Sequence, residues 1–160
     1  MWLKWVNGKM VIQEKDIDWR LVAWCLALEG SIGMYMQSSR NDFAPVLKLY
    51  NTDRNVVMSF MEMVDCGCVY LNKNNGGKRS NKPLYFWRLQ SFSDVKVFLN
   101  NIIEYLPSKK RQAELLLEFV DIRLSNNHKW RKLRESSYST REMEIYNEMK
   151  KLNRRGGEDD

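Results

Sequence analysis

The most informative segment of the chain is Leu21-Val22-Ala23-Trp24-Cys25-Leu26-Ala27-Leu28-Glu29-Gly30-Ser31-Ile32. It reads as an apolar helix that ends at a glycine and continues as a strand, with Asp18 placed to cap the helix N-terminus. Glu29 is unusual, because a carboxylate in the last turn meets the negative end of the helix dipole, at a cost of up to about 1 kcal/mol. Such an acid predicts a compensating cation nearby. The alternative is a solvated residue at the end of a core helix.

The composition limits the class of protein. The chain has 160 residues, 44% of them hydrophobic, which fits one globular domain with a substantial core. No segment has the ~18 consecutive apolar residues of a membrane span, and the N-terminus lacks the pattern of a signal peptide. We therefore expect an intracellular, cytoplasmic protein with no membrane partner, with an organelle as the alternative compartment.

Charge and cysteine usage narrow the chemistry. The net charge of +6 favours a polyanionic partner. A single histidine, His128, excludes active sites built on several histidines. The three cysteines have the spacing of neither a zinc site nor a disulfide framework, so we expect reduced thiols that mostly fill the core.

The periodicity of apolar residues switches between helix and strand in a regular order. The predicted strands cover residues 31–39, 46–51, 68–74 and 84–91. The predicted helices are 21–29, one capped by Asp53, one capped by Ser93, 110–124, and a last one that starts at the capping box Ser139-Thr140-Arg141-Glu142. The result is an α+β protein with the order α-β-β-α-β-β-α, followed by C-terminal helices.

The opening helix and its continuation resemble the motif of the LAGLIDADG homing endonucleases. That motif is a small-residue apolar helix followed by acid-Gly-Ser-Ile and a strand, which Glu29-Gly30-Ser31-Ile32 match. Ala27 replaces a common first acid, and Trp24 and Leu28 stand where the family often has glycine. The resemblance implies an α-β-β-α-β-β-α core with a saddle-shaped, antiparallel, four-stranded DNA-binding sheet covered by helices.

The same resemblance predicts domain organisation and assembly. It implies an N-terminal extension at 1–17, an endonuclease core at 18–125 and a basic helical extension at 126–160. The chain contains one copy of the motif, and members of the family with one motif are homodimers. The expected dimer interface consists of Val22, Ala23, Leu26 and Ala27.

A mechanism follows from two-fold pairing of the opening helix. Two Glu29 carboxylates about 5 Å apart would repel by roughly 3 kcal/mol at an effective dielectric near 20, so they would share a proton or bind a divalent metal. Oxygen ligands select a hard cation, Mg²⁺ or alternatively Mn²⁺ or Ca²⁺, and the resemblance implies Glu29 and Gly30 as metal ligands. The implied reaction is hydrolysis of both strands of a long DNA site. Matching positions add Asn51 and Lys109 as catalytic residues, although Lys109 is equally explained as a loop lysine.

The polar face of the predicted sheet and the basic loops form the expected DNA-binding surface. A β-ribbon fits the major groove, where Gln, Asn and Arg read base edges, and loop cations contact phosphates. The candidates are Ser31, Gly33, Tyr35, Gln37, Ser39, Arg40, Lys48, Tyr50, Tyr70, Asn72, Lys73, Asn74, Lys78, Arg79, Lys82, Arg88, Gln90, Lys129 and Arg131. The opposite face is expected to pack under the helices with Ile32, Met34, Met36, Leu47, Leu49, Tyr85, Trp87 and Leu89. The alternative is an ordinary solvated strand face with a flexible loop.

The sequence is compatible with three functions. The first is a homodimeric, magnesium-dependent, sequence-specific homing endonuclease encoded within an intron or intein. The second is a maturase, which would use the same fold to bind intron RNA. The third is a DNA-binding regulator that has lost cleavage, against which the acid at Glu29 argues.

Overall fold

The secondary structure follows the predicted order. A computed structural model describes residues 2–6, 9–13, 16–37, 42–72, 83–125 and 139–154. The elements are β1 Trp2–Val6, β2 Lys9–Gln13, α1 Trp19–Glu29, β3 Gly30–Gln37, β4 Asp42–Asn51, α2 Arg54–Val64, β5 Cys68–Asn72, β6 Leu84–Leu89, α3 Phe92–Ile102, a 3₁₀ turn Ile103–Tyr105, α4 Lys110–Ser125 and α5 Thr140–Leu152. The predicted α+β class and its α-β-β-α-β-β-α core are confirmed.

The strands form two antiparallel sheets. The main sheet has four strands in the order β3-β4-β6-β5. Strand β4 pairs with β3 from Gly30↔Leu49 to Gln37↔Asp42. Strands β1 and β2 form a separate antiparallel pair within the first 17 residues, where the sequence predicts no strands.

Strand β4 starts earlier than the sequence predicts. The sequence predicts a start at residue 46, and Pro45, just before it, lacks the N–H that a central strand needs. The structure extends β4 back to Asp42, with Pro45 opposite Met34 on β3. Strand β6 pairs only with residues 47–51 of β4, so the proline lies where β4 has β3 alone as a neighbour. The missing N–H of Pro45 is tolerated there because one side of β4 has no neighbouring strand to bond with at that position.

One face of the main sheet forms the core with the helices. Ile32, Leu47 and Trp87 are fully buried on this face, as predicted. Tyr85 and Met34 are partly buried against them. Met36 was expected inside but is 39% exposed, because it lies one residue before the end of the edge strand β3.

The N-termini of α1, α2, α3 and α5 are capped by side chains. Asp18 accepts hydrogen bonds from the backbone N–H groups of Arg20 and Leu21, at 3.1 Å each. The caps predicted at Asp53 and Ser139 are confirmed, including the capping box with Glu142. The cap of α3 is Ser91 and not Ser93, because β6 ends at Leu89 and the helix begins directly at Phe92.

Helix α5 is held to the core by a buried ion pair. The carboxylate of Glu142 is fully buried and pairs with the guanidinium of Arg123 on α4. The same guanidinium lies 2.7 Å from Asp42 at the start of β4. The ring of Tyr146 stacks on Phe43, with 4.7 Å between centroids. These contacts hold the N-terminal half of α5 against α4 and β4.

The cysteines are free thiols. Burial, with a smaller contribution from nearby carboxylates, raises the pKa of the Cys66 thiol to about 12, whereas Cys68 is exposed. Over the described parts of the chain, every helix is too short or too polar to cross a bilayer.

Candidate catalytic groove and nucleic-acid interface

The candidate site begins where α1 ends and β3 starts. Glu29 is the last residue of α1, and its side chain is exposed. Gly30 follows the helix as predicted, but its backbone is extended, with φ −105° and ψ 176°, rather than left-handed. A Cβ atom at this position would lie 2.5 Å from Leu26 Cδ1 and 2.9 Å from the carbonyl oxygen of Lys48. Glycine is required here because the backbones approach too closely for any side chain.

Lys109 supplies a cation at this helix end. Its ammonium donates to the carbonyl oxygens of Ala27 at 2.6 Å, Gly30 at 2.7 Å and Leu26 at 3.2 Å. Lysine is favourable here because the C-terminal end of a helix carries unsatisfied carbonyls and a partial negative charge. A cation is therefore present at the end of the helix that carries Glu29, 79 residues after Gly30 in sequence, where it binds the backbone carbonyls.

The backbone of Lys109 is in the left-handed region, with φ +63°. This conformation costs a residue with a Cβ atom roughly 1–2 kcal/mol. The three charge-assisted hydrogen bonds of the ammonium offset that cost, since each is stronger than a neutral one. The lysine is thus held in a fixed position rather than in a solvated loop.

Glu29 and Lys109 open onto one groove of about 870 Å³. Lys48 of β4 lines the same groove from the sheet side. The end of α5 closes it with Asn153 and Arg154. Acid, cations and the sheet therefore share one surface.

Helix α5 reaches this groove through an edge contact that the sequence analysis missed. The Asn153 side-chain amide donates to the carbonyl oxygen of Ile32 at 3.0 Å. A Cβ atom at Gly33 would lie 3.3 Å from that amide, so the glycine gives it room. Nothing in the local sequence pairs positions 121 residues apart. Arg154 becomes a groove residue only through this tertiary contact.

The predicted metal ligands offer hard oxygen donors. The groove presents the Glu29 carboxylate and the Gly30 carbonyl, and a carbonyl oxygen has a second lone pair beyond the one that Lys109 uses. Among the residues that the structure describes, no three His, Cys, Asp or Glu side chains are grouped to hold a metal. The donors fit a hard divalent cation that takes its remaining ligands from water, substrate or a second copy of the site.

Asn51 lies elsewhere. It is the last residue of β4, and its side-chain oxygen accepts a hydrogen bond from the backbone N–H of Asp53 at 2.8 Å. The side chain thus stabilises the turn into α2. Its catalytic role stays a prediction.

The face of the main sheet away from the core gathers the predicted DNA-binding residues of the described strands. The register aligns Ser31, Lys48 and Arg88 across three strands. The Tyr35 hydroxyl accepts from Gln37 at 3.1 Å and from Gln90 at 2.8 Å. By register and alternation this face carries Ser31, Gly33, Tyr35, Gln37, Lys48, Tyr50, Tyr70, Asn72, Arg88 and Gln90. We call it the open face.

The remaining predicted contacts lie outside the described residues. These are Ser39, Arg40, Lys73, Asn74, Lys78, Arg79, Lys82, Lys129 and Arg131.

An aromatic residue that the sequence did not lead us to expect lies at the centre of the open face. Phe86 contacts Tyr50 and Tyr70, with 5.6 Å and 5.3 Å between ring centroids. The guanidinium of Arg88 lies 4.3 Å from the centroid of Tyr70. Alternation along β6 does place Phe86 outward, since Trp87 points into the core.

The residues predicted for the dimer interface lie inside the protomer. Val22, Ala23 and Leu26 are fully buried and Ala27 is 9% exposed, because this face of α1 packs on the sheet and α3. That prediction is corrected.

The opposite side of α1 exposes an apolar stripe, with Leu21 at 50%, Trp24 at 52% and Leu28 at 73%. An apolar hollow of about 500 Å³ lies beside it, between α1 and α2.

Solved structures share this fold. The chain is similar to an archaeal intron-encoded homing endonuclease, I-Vdi141I complexed with DNA, at 18% identity and a TM-score of 0.66, over 89% of this chain and 87% of that one. It is similar to the homing endonuclease I-CvuI in complex with its target in the presence of Ca²⁺, at 16% identity and a TM-score of 0.64, over 87% and 83%. The LAGLIDADG homing endonuclease I-GzeII in complex with a DNA target matches at 16% identity and a TM-score of 0.59, over 94% of this chain and 48% of that one.

No protein-family profile matches the chain, and no curated protein sequence does so either. The likeness is thus one of structure, at low sequence identity. It confirms the fold that the motif at residues 21–32 predicts, that of the LAGLIDADG homing endonucleases.

Proposed function

We propose that the protein is a sequence-specific DNA endonuclease that works as a homodimer. The observation that carries this proposal is the continuity of the open face with the groove of Glu29 and Lys109, through Lys48, which belongs to both. A duplex lying along the open face would bring its backbone to the carboxylate. The three similar proteins described above are homing endonucleases in complex with DNA, which supports the same use of the fold here.

Charge and side-chain chemistry favour duplex DNA on the open face. Lys48 and Arg88 suit phosphates or guanine edges, and Gln37, Gln90 and Asn72 suit base edges in the major groove. The net charge of +6 supports binding through counterion release, so affinity should fall steeply with salt.

The exposed stripe of α1 is the proposed dimer interface. Leu21, Trp24 and Leu28 follow a helical spacing, and Glu29 comes directly after the last of them. Pairing two copies along this stripe would bring the two Glu29 side chains towards each other. The chain also spans about half of I-GzeII, at 48%, and nearly all of I-Vdi141I, at 87%. Two copies would supply what the longer protein carries in one chain.

The proposed mechanism divides the chemistry among the residues of the groove. Glu29 and Gly30 would hold a hard divalent cation, Mg²⁺ in the first place, which when bound acidifies a water molecule and stabilises the leaving oxygen. Lys109 holds Gly30 in place by donating a hydrogen bond to its carbonyl oxygen. Its ammonium would also bring a positive charge beside the phosphate of the DNA. Arg154 and Lys48 would bind flanking phosphates and orient the scissile bond.

The test starts from binding-site selection. The purified protein selects duplexes from a random library, and the selected duplex is then incubated with the protein and Mg²⁺, or with EDTA as the control. We expect cuts in both strands with Mg²⁺ and none with EDTA. Uncut duplex under every condition, or stronger binding to intron RNA than to any duplex, would overturn the proposal. Light scattering of the complex measures assembly, and a single copy on the full site would contradict the homodimer.

A further inference from the structure

Three aromatic rings form a continuous row across the open face, and the function proposed above does not account for them. Tyr50 on β4, Phe86 on β6 and Tyr70 on β5 occupy one line of the register, Tyr50↔Phe86↔Tyr70. We propose that this aromatic row is a subsite for the C5-methyl groups of thymine in the major groove. The inference rests on the proposed DNA binding and adds the chemical feature that the sheet reads.

The rings of the row pack against one another. Phe86 and Tyr70 are stacked, with 20° between their planes, and Phe86 and Tyr50 are tilted by 36°. All three belong to strands of the sheet and rise from the same face, so rings that pack flank to flank direct their edges outward. Tyr70 is 38% exposed, and the other two are half-buried. The row therefore presents a narrow apolar ridge of ring edges.

Cations border the ridge. The Lys48 ammonium lies 5.9 Å from the ring centroids of both Tyr50 and Phe86. The Arg88 guanidinium lies over Tyr70. The central ring, Phe86, thus packs between the rings of Tyr50 and Tyr70, and Tyr70 contacts both Phe86 and the Arg88 guanidinium. This arrangement disfavours a platform for unpaired bases, because base stacking needs a free ring face.

The ridge fits one feature of duplex DNA. The C5-methyl group of thymine is the apolar group that the major groove presents, and apolar side chains recognise it by contact. Cations beside the ridge suit the guanine edges and phosphates that surround such a methyl group. The row therefore selects thymine at the base steps that face the middle of the sheet.

The experiment removes the methyl group and leaves the base pair intact. A duplex obtained by binding-site selection in Ca²⁺ is synthesised with deoxyuridine in place of thymine at one position at a time, and affinities are measured for each. We expect at least one position in each half-site where uracil weakens binding about fourfold, the effect of losing one buried methyl group. Elsewhere uracil and thymine should bind alike.

Variants of the row complete the test. Phe86→Ser should bind the thymine and uracil duplexes equally, whereas Tyr50→Phe keeps the apolar ring and should keep the discrimination. Circular dichroism verifies the fold of each variant, and the comparison in the parent protein does not depend on them. Equal binding of all uracil duplexes by the parent, discrimination that survives in folded Phe86→Ser, or tighter binding to single strands than to duplex would each overturn the thymine subsite. Failure to select any duplex would instead overturn the proposed function.

Discussion

The ammonium of Lys109 lies 2.7 Å from the carbonyl oxygen of Gly30, the first residue after the acid of the groove. Two further carbonyls of the last turn of α1, those of Leu26 and Ala27, accept from the same ammonium. One side chain thus neutralises the negative end of a helix and fixes the backbone next to Glu29. The stability of the end of α1 and the proposed cleavage chemistry therefore both depend on Lys109, so a substitution there tests both.

Lys109→Met should lower stability as well as activity. The substitution leaves the carbonyls of Ala27 and Gly30 without their charged donor, which should reduce the free energy of unfolding by about 1–3 kcal/mol. Urea denaturation measures this loss. Lys110→Met is the matched control, because Lys110 is exposed and pairs with Glu104 only at 3.6 Å. Equal stability of the two variants would show that the three hydrogen bonds contribute nothing.

Gly30→Ala should destabilise the protein because the new methyl group has no room. It would lie 2.5 Å from Leu26 Cδ1 and 2.6 Å from the Leu26 carbonyl oxygen. Overpacking of this kind costs about 1–3 kcal/mol, or more where backbone is involved. At Gly33 the nearest atom is the Asn153 amide at 3.3 Å, so Gly33→Ala should cost less. Thermal unfolding ranks the two variants, and the reverse order would contradict the geometry.

Leu28→Glu and Trp24→Glu should separate the dimer without unfolding the protomer. Both side chains are more than half exposed, at 73% and 52%. A carboxylate at either position would be solvated in the monomer and would be buried against the partner only in the dimer. Sedimentation velocity should give monomers for the variants and dimers for the parent. Leu26→Ala, on the buried side of the same helix, should instead cost about 2–5 kcal/mol of stability. Glutamate variants that remain dimeric would place the interface elsewhere.

Arg123→Met should loosen α5. It leaves the fully buried Glu142 carboxylate without its cation, and breaking a buried pair costs about 3–5 kcal/mol. Arg141→Met removes an exposed guanidinium that bridges Glu118 and Glu144, and it should cost a small fraction of that. Hydrogen exchange of the amides in 140–152 should rise in the first variant only. Similar exchange in both would show that the buried pair does not hold the helix.

The sequence predicted the strands and helix caps correctly where residues close together in sequence determine them. Alternation along β3 and β6, the caps at Asp18 and Asp53, and the capping box at Ser139 all appear in the structure, because each depends on residues a few positions apart. The predicted dimer interface was placed on the side of α1 that is buried within the protomer. A helix that is apolar all round does not reveal which side packs on its own sheet.

Long-range contacts could not be predicted in the same way. The cation at the end of α1 comes from Lys109, and the edge of β3 is held by Asn153, 121 residues after Ile32. Both contacts depend on how α4 and α5 pack, which periodicity does not encode. Lys109 was nominated through the family resemblance, but its role as a helix cap follows from the structure alone.

Whether the Glu29 carboxylate is needed for cleavage is tested by comparing Glu29→Gln with the parent on the selected duplex in Mg²⁺. Glutamine keeps the size and polarity of the side chain and removes the charge of the proposed metal ligand. Glu104→Gln serves as the matched control, since Glu104 is an exposed acid outside the groove. We expect Glu29→Gln to bind the duplex but leave both strands intact, while the parent and Glu104→Gln cut both. Cleavage by Glu29→Gln at the parental rate would contradict this expectation.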